Sequence, residues 1–170
     1  MTYRNGKSMG INDKSKLRDI LMSEFVIKNP VSVTLTSKQS VDGRRLDEIL
    51  LSRDIGHFLN RINYLLFKKR YSRYGKKLGV LPVIEGDRFT PLHCHLTLEC
   101  PEDTPVFYLE NLIKICWGKT TYGRSNDLFG VKVKPVIDDG WLEYQLKNRT
   151  KRDGVISSID WINLTPSVSE

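Results

Sequence analysis

Only three cysteines occur in the 170 residues, Cys94, Cys100 and Cys116. Their odd number and the lack of any Cys-x-x-Cys pair argue against a disulfide framework, and reduced thiols in an intracellular, cytoplasmic setting are the expectation. No apolar run approaches the ~18–20 residues that a membrane span needs. The opening MTYRNGKSMG has no apolar core, so it is not expected to act as a secretory signal. Internal repeats and low-complexity tracts are also missing, which leaves one ordinary folded domain with a real core. Two Gly-Lys-(Ser/Thr) triplets begin at Gly6 and Gly118, but the glycine that a phosphate-binding loop requires is replaced by Met1 and Ile113. No ATPase is expected.

Acidic charge is in deficit. Against 27 Lys+Arg stand 20 Asp+Glu, a net charge of +7. That balance suggests a polyanionic partner, with nucleic acid ahead of a membrane surface. The cations cluster in FKKRYSRYGKK, residues 67–77, where Lys68, Lys69, Arg70, Arg73, Lys76 and Lys77 interleave with Phe67, Tyr71 and Tyr74. Such a mixture suits phosphate neutralisation with base stacking. Lys132 and Lys134 alternate on a later segment and would share a strand face, and Arg149, Lys151 and Arg152 follow further on.

Hydrophobic spacing predicts an α+β chain. Leu17, Ile20, Leu21, Met22 and Phe25 predict a helix over 13–27, ended by Pro30. VSVTLT predicts a strand over 31–36, and the polar residues 37–45 a loop. Residues 46–69 read as a helix in two pieces with a phase slip near Ser52. Leu46, Ile49 and Leu50 form the first stripe, and Ser52 would cap the second piece, with Asp54 in its first turn. Residues 68–77 read as an exit loop, and 78–86 with 92–99 as a strand hairpin. A helix over 105–119, a strand over 128–136, a helix over 139–151 and a strand over 155–165 complete the order. The predicted architecture is a mainly antiparallel sheet of about five strands flanked by helices.

Two of the three histidines, His93 and His95, stand one residue apart on a predicted strand. Strand parity projects both to one face, with Leu92, Cys94 and Leu96 on the other. Cys94 is thereby expected in the core, with no redox role. Two imidazoles and a carboxylate can hold one divalent ion. Glu85 ends the preceding strand, and hairpin pairing would bring it close. Asp87 in the turn is the second choice and Glu99 the third. His57 is expected to be structural. Tyr144 and Lys147 sit at i, i+3 on a predicted helix and so share a face.

Taken together, the hydrophobic-Thr-Leu-Thr of residues 33–36, His93-Cys94-His95 and Tyr144-Gln145-Leu146-Lys147 resemble the HUH endonucleases of the rolling-circle replication initiator branch. Those proteins carry these three motifs in this order. The resemblance covers roughly residues 30–165 and implies a catalytic domain there; outside it the chain is expected to have an N-terminal helical arm over 1–29 and a tail over 166–170. The implied fold is the RRM-like, ferredoxin-like sheet of that family, with residues 33–36 mostly scaffold behind the metal strand. The implied activity is nicking and rejoining of single-stranded DNA at an origin hairpin, for a phage, satellite or plasmid. Tyr144 would be the nucleophile, assisted by Lys147. His93, His95 and Glu85 would hold Mn²⁺ or Mg²⁺, and a separate helicase would be a partner. A single-tyrosine transposase is the nearest alternative, although Gln typically stands there in place of Lys147. A non-catalytic nucleic-acid-binding module on the same sheet is the other.

Overall fold

Valine and leucine alternating with serine and threonine place residues 31–36 in the middle of a sheet, apolar on one face and hydroxylated on the other. The computed structural model describes residues 25–86, 89–124, 130–136 and 159–167, together with Lys16, Asp19 and Ile20. In chain order it runs through strand β1 (Pro30–Thr36), the two-residue strands β2 (Ser40–Val41) and β3 (Arg44–Arg45), and helices α1 (Glu48–Phe67) and α2 (Lys69–Tyr74). Strands β4 (Val80–Glu85) and β5 (His93–Glu99), helix α3 (Val106–Gly118) and strand β6 (Val131–Pro135) follow. The main sheet has the order β4-β5-β1-β6 with every pair antiparallel. The fold is therefore α+β, with a four-stranded antiparallel sheet flanked by helices.

One sheet face carries the core. Val31, Val33, Leu35, Val80, Cys94, Leu96 and Leu98 are buried in one cluster with Leu51, Ile55, Phe58 and Ile62 of α1 and with Leu109, Ile113 and Trp117 of α3. Each such side chain contributes roughly 1.5–3 kcal/mol when fully removed from water. Phe58 meets Trp117 edge to face at 6.1 Å, the geometry that aromatic quadrupoles prefer. On the opposite face a smaller cluster joins Leu81, Val83 and Ile159, with Phe25, Ile27 and Leu164 against it.

Four expectations need correction. Helix α1 is continuous. Asp47, not Ser52, caps it, its carboxylate accepting from Leu50 N–H at 2.8 Å. The apparent phase slip arises because Asp54 occupies the buried stripe, where its Oδ2 accepts from Tyr122 N–H at 2.7 Å. Ile49 is 80% exposed and belongs to no core stripe. Next, residues 69–74 form α2 instead of a loop, stopped by Gly75 at φ 68°. The loop after β1 contains the β2–β3 ribbon, turned by Asp42 and Gly43 at φ 49° and 77°, as a two-residue hairpin turn requires.

Finally, the described part of the expected last strand is broken. Ile159 bridges Val83 and Thr165 bridges Val80, but residues 161–163 make a turn between them. Asn163 Nδ2 donates to Asp160 Oδ2 at 2.6 Å and to Ser52 O at 2.8 Å, so side chains replace ladder bonds there. Most of the expected N-terminal helix, the helix over 139–151 and residues 155–158 lie outside the described residues. Among the described residues no helix is long and apolar enough to cross a membrane.

Candidate metal centre

The β4–β5 register sets Glu85 opposite His93 and Val83 opposite His95. Cross-strand partners and their diagonal neighbours on one face lie close enough for side chains to meet. They do so here. His93 Nε2 lies 3.9 Å and His95 Nε2 3.6 Å from the same oxygen, Glu85 Oε2. One ligand atom from each of the three residues falls within 4.8 Å of the others. An ion held at ~2.1 Å by each ligand sets neighbouring ligand atoms ~3.0–3.4 Å apart. The two nitrogen-to-oxygen distances of 3.9 and 3.6 Å therefore need to close by roughly 0.2–0.9 Å. The three side chains are 16–22% exposed. Two imidazole nitrogens and one carboxylate suit a divalent ion.

Each imidazole is oriented from behind. His93 Nδ1 lies 2.9 Å from Pro91 O. A carbonyl only accepts, so Nδ1 carries the proton and the Nε2 lone pair turns toward Glu85. His95 Nδ1 lies 3.1 Å from the Thr34 hydroxyl. The two rings stand 5.0 Å apart and nearly perpendicular, at 82°. Between them Cys94 points into the core with no exposure. Burial first, then the charge of Asp160, pushes its thiol well above the usual range, so it offers no thiolate to this site.

The other candidates fall in different places. Glu99 is engaged at the far end of β5, where its Oε2 accepts from Gly79 N–H and from Ser167 Oγ–H, both at 2.7 Å. Asp87, Tyr144 and Lys147 lie outside the described residues. His57 is exposed on α1, its Nδ1 4.0 Å from Asp54 Oδ1 and apart from the cluster. Lys132 pairs with Thr34, which pairs with His95, so these three share one row across the polar face. Lys134 shares the next row with Ser32.

Lys68, Lys69, Arg70, Tyr71, Arg73, Tyr74, Lys76 and Lys77 sit elsewhere. Their segment leads into β4 at Val80, the end of the strand ~17 Å from Glu85 at ~3.3 Å per residue. Within it Tyr71 Oη donates to Asn60 Oδ1 at 2.8 Å, and Lys76 Nζ lies over the Phe67 ring at 5.4 Å. Tyr74 is 80% exposed and is the aromatic of this segment most open to a stacking base.

Sequence reasoning misses Thr34 as a neighbour of the histidines. Its parity with Thr36 is visible in VSVTLT, but nothing in the sequence states which residue of β5 it meets.

Fold and site together define an α+β protein with a candidate histidine–carboxylate metal centre on the polar face of an antiparallel sheet. No protein-family model, no curated protein and no solved structure matches the chain.

Proposed function

We propose that this chain is a metal-dependent nicking and rejoining enzyme of the HUH type, acting on single-stranded DNA at an origin hairpin and built on a ferredoxin-like sheet. One observation carries the reading: Glu85, His93 and His95 converge on the polar sheet face in a chain that also holds the Tyr144-x-x-Lys147 motif. The hydrophobic-Thr-Leu-Thr strand pairs with β5 beside that site, with Thr34 against His95.

Tyr144 is the nucleophile and Lys147 its electrostatic helper. A phenol titrates near ~10, and lowering it by ~3 units takes about 4 kcal/mol of preferential stabilisation of the phenolate. The Lys147 ammonium supplies part of that. The phenolate oxygen attacks the scissile phosphorus, the bond to the 3′ oxygen breaks, and that oxygen leaves as a 3′-hydroxyl after taking up a proton. The product is a 5′-phosphotyrosine, which keeps the phosphodiester energy for rejoining. Glu85, His93 and His95 would hold Mn²⁺ or Mg²⁺, which when bound supplies Lewis-acid polarisation of a non-bridging phosphate oxygen. Lys132 and Lys134, on the same sheet face, neutralise neighbouring phosphates. The α2 cations grip DNA flanking the cleavage point. With no phosphate-binding loop in the chain, strand separation falls to a separate helicase.

The test is a denaturing gel of protein, Mn²⁺ and end-labelled single-stranded origin DNA. A covalent adduct is expected on the 5′ phosphate of the cleaved product. Tyr144→Phe should give no adduct and retain DNA binding. Binding without any adduct in the unaltered protein would instead indicate a non-catalytic module.

A further inference from the structure

We propose that Thr34 is a positioning residue for metal binding, acting through its hydroxyl as a two-way hydrogen-bond partner of His95. The inference rests on the metal reading above and assigns the Thr-Leu-Thr strand a part in it beyond scaffolding. The two imidazoles look alike in sequence but have unlike partners. His93 Nδ1 faces the Pro91 carbonyl at 2.9 Å. That acceptor permits one neutral tautomer, with the Nε2 lone pair toward Glu85 whether or not an ion is bound.

His95 Nδ1 faces the Thr34 hydroxyl at 3.1 Å, and a hydroxyl both donates and accepts. In one neutral form the ring proton sits on Nε2, with Glu85 Oε2 3.6 Å away. Thr34 then donates to Nδ1. For Nε2 to ligate, the ring proton must reside on Nδ1, and Thr34 must accept it. His93 is thus oriented for binding by a carbonyl, and His95 by a hydroxyl able to accept from it.

The register makes Thr34 particular. It stands opposite His95, and Thr36 stands opposite His93. Thr36 is no equivalent, because its hydroxyl donates to Gly130 O at 3.1 Å and His93 takes the Pro91 carbonyl. Replacing Thr34 by valine preserves shape and strand preference but leaves Nδ1–H of the ligating form without its acceptor. Serine restores it.

Calorimetric titration of the full chain with Mn²⁺ tests this, using Thr34→Val, Thr34→Ser and Thr36→Val. Thr34→Val should weaken binding ~10–100-fold, and Thr34→Ser should stay within ~3-fold of the unaltered protein. Thr36→Val should leave affinity unchanged. Histidine ¹⁵N spectra with and without Zn²⁺ supply a second readout that stability does not move. With Zn²⁺ bound, both His93 Nδ1 and His95 Nδ1 should show the protonated shift. Unaltered Mn²⁺ affinity in folded Thr34→Val overturns the proposal, as does a His95 Nδ1 that is unprotonated with Zn²⁺ bound. If Thr34→Val does not fold, the spectra of the unaltered protein decide. A different pattern marks failure of the metal reading itself: no Mn²⁺ binding by the unaltered chain, or full affinity in His93→Ala. Either outcome removes both proposals.

Discussion

His93 and His95 share a face because a strand repeats every two residues, and Glu85 reaches them because an antiparallel hairpin sets it opposite His93. Both facts are visible in the sequence once the hairpin is recognised, since they need only parity and a short connection. Thr34 is not visible in this way. It meets His95 across 61 residues of chain, and the pairing of two strands so far apart depends on the whole core. Two predictions belong at this scale. Glu85→Gln keeps the shape of the ligand but removes the charge that offsets a divalent cation, so Mn²⁺ affinity should drop at least ~10-fold by calorimetry. Excess Mn²⁺, at ~100 times its dissociation constant, should stabilise the unaltered protein by ~2.7 kcal/mol in urea unfolding, and EDTA should abolish the gain. His93→Ala should show no such gain. A gain of the same size in that variant would place the ion elsewhere.

Helix α1 shows how a single polar residue can disguise an element. Asp54 interrupts the apolar stripe in sequence, yet it is fully buried and faces Tyr122 N–H. Counted as a core-facing position, it restores one continuous stripe, and the two-piece reading disappears. No hydrophobicity pattern can reveal this, because the partner is a backbone group in the turn after α3. The Asp42-Gly43 turn, by contrast, rests on local chemistry, since both residues favour positive φ. Asp47→Ala removes the cap to Leu50 and should cost ~1 kcal/mol. Asp54→Ala strips the acceptor from a buried N–H and should cost ~1–3 kcal/mol. Ile49→Ala, on the solvent side, should fall within ~0.5 kcal/mol. Urea midpoints rank the three, and a large effect at Ile49 with none at Asp54 would contradict this account of the helix.

At the scale of the whole molecule, charge and chemistry are separated. Helices and core cover one sheet face, the candidate metal centre lies on the other, and the α2 cations emerge beside the far end of β4. Composition reveals the net charge of +7, but not this separation, which depends on strand direction. The metal centre and the segment that follows α2 adjoin opposite ends of β4, which are ~17 Å apart, beyond the screening length of ~10 Å at 0.1 M salt. Their contributions should therefore come apart experimentally. Lys69→Glu with Arg73→Glu should weaken DNA binding and lower the salt slope by ~0.7 for each single-strand phosphate that is no longer neutralised. Mn²⁺ affinity in that variant should equal that of the unaltered protein. Glu85→Gln should do the reverse, losing Mn²⁺ while binding DNA in EDTA at least as tightly, since it removes a negative charge. If the α2 variant instead lost Mn²⁺ affinity with its fold intact, the two regions would be coupled through the sheet. A DNA path running only along the row of His95, Thr34 and Lys132 would then replace the two-region grip.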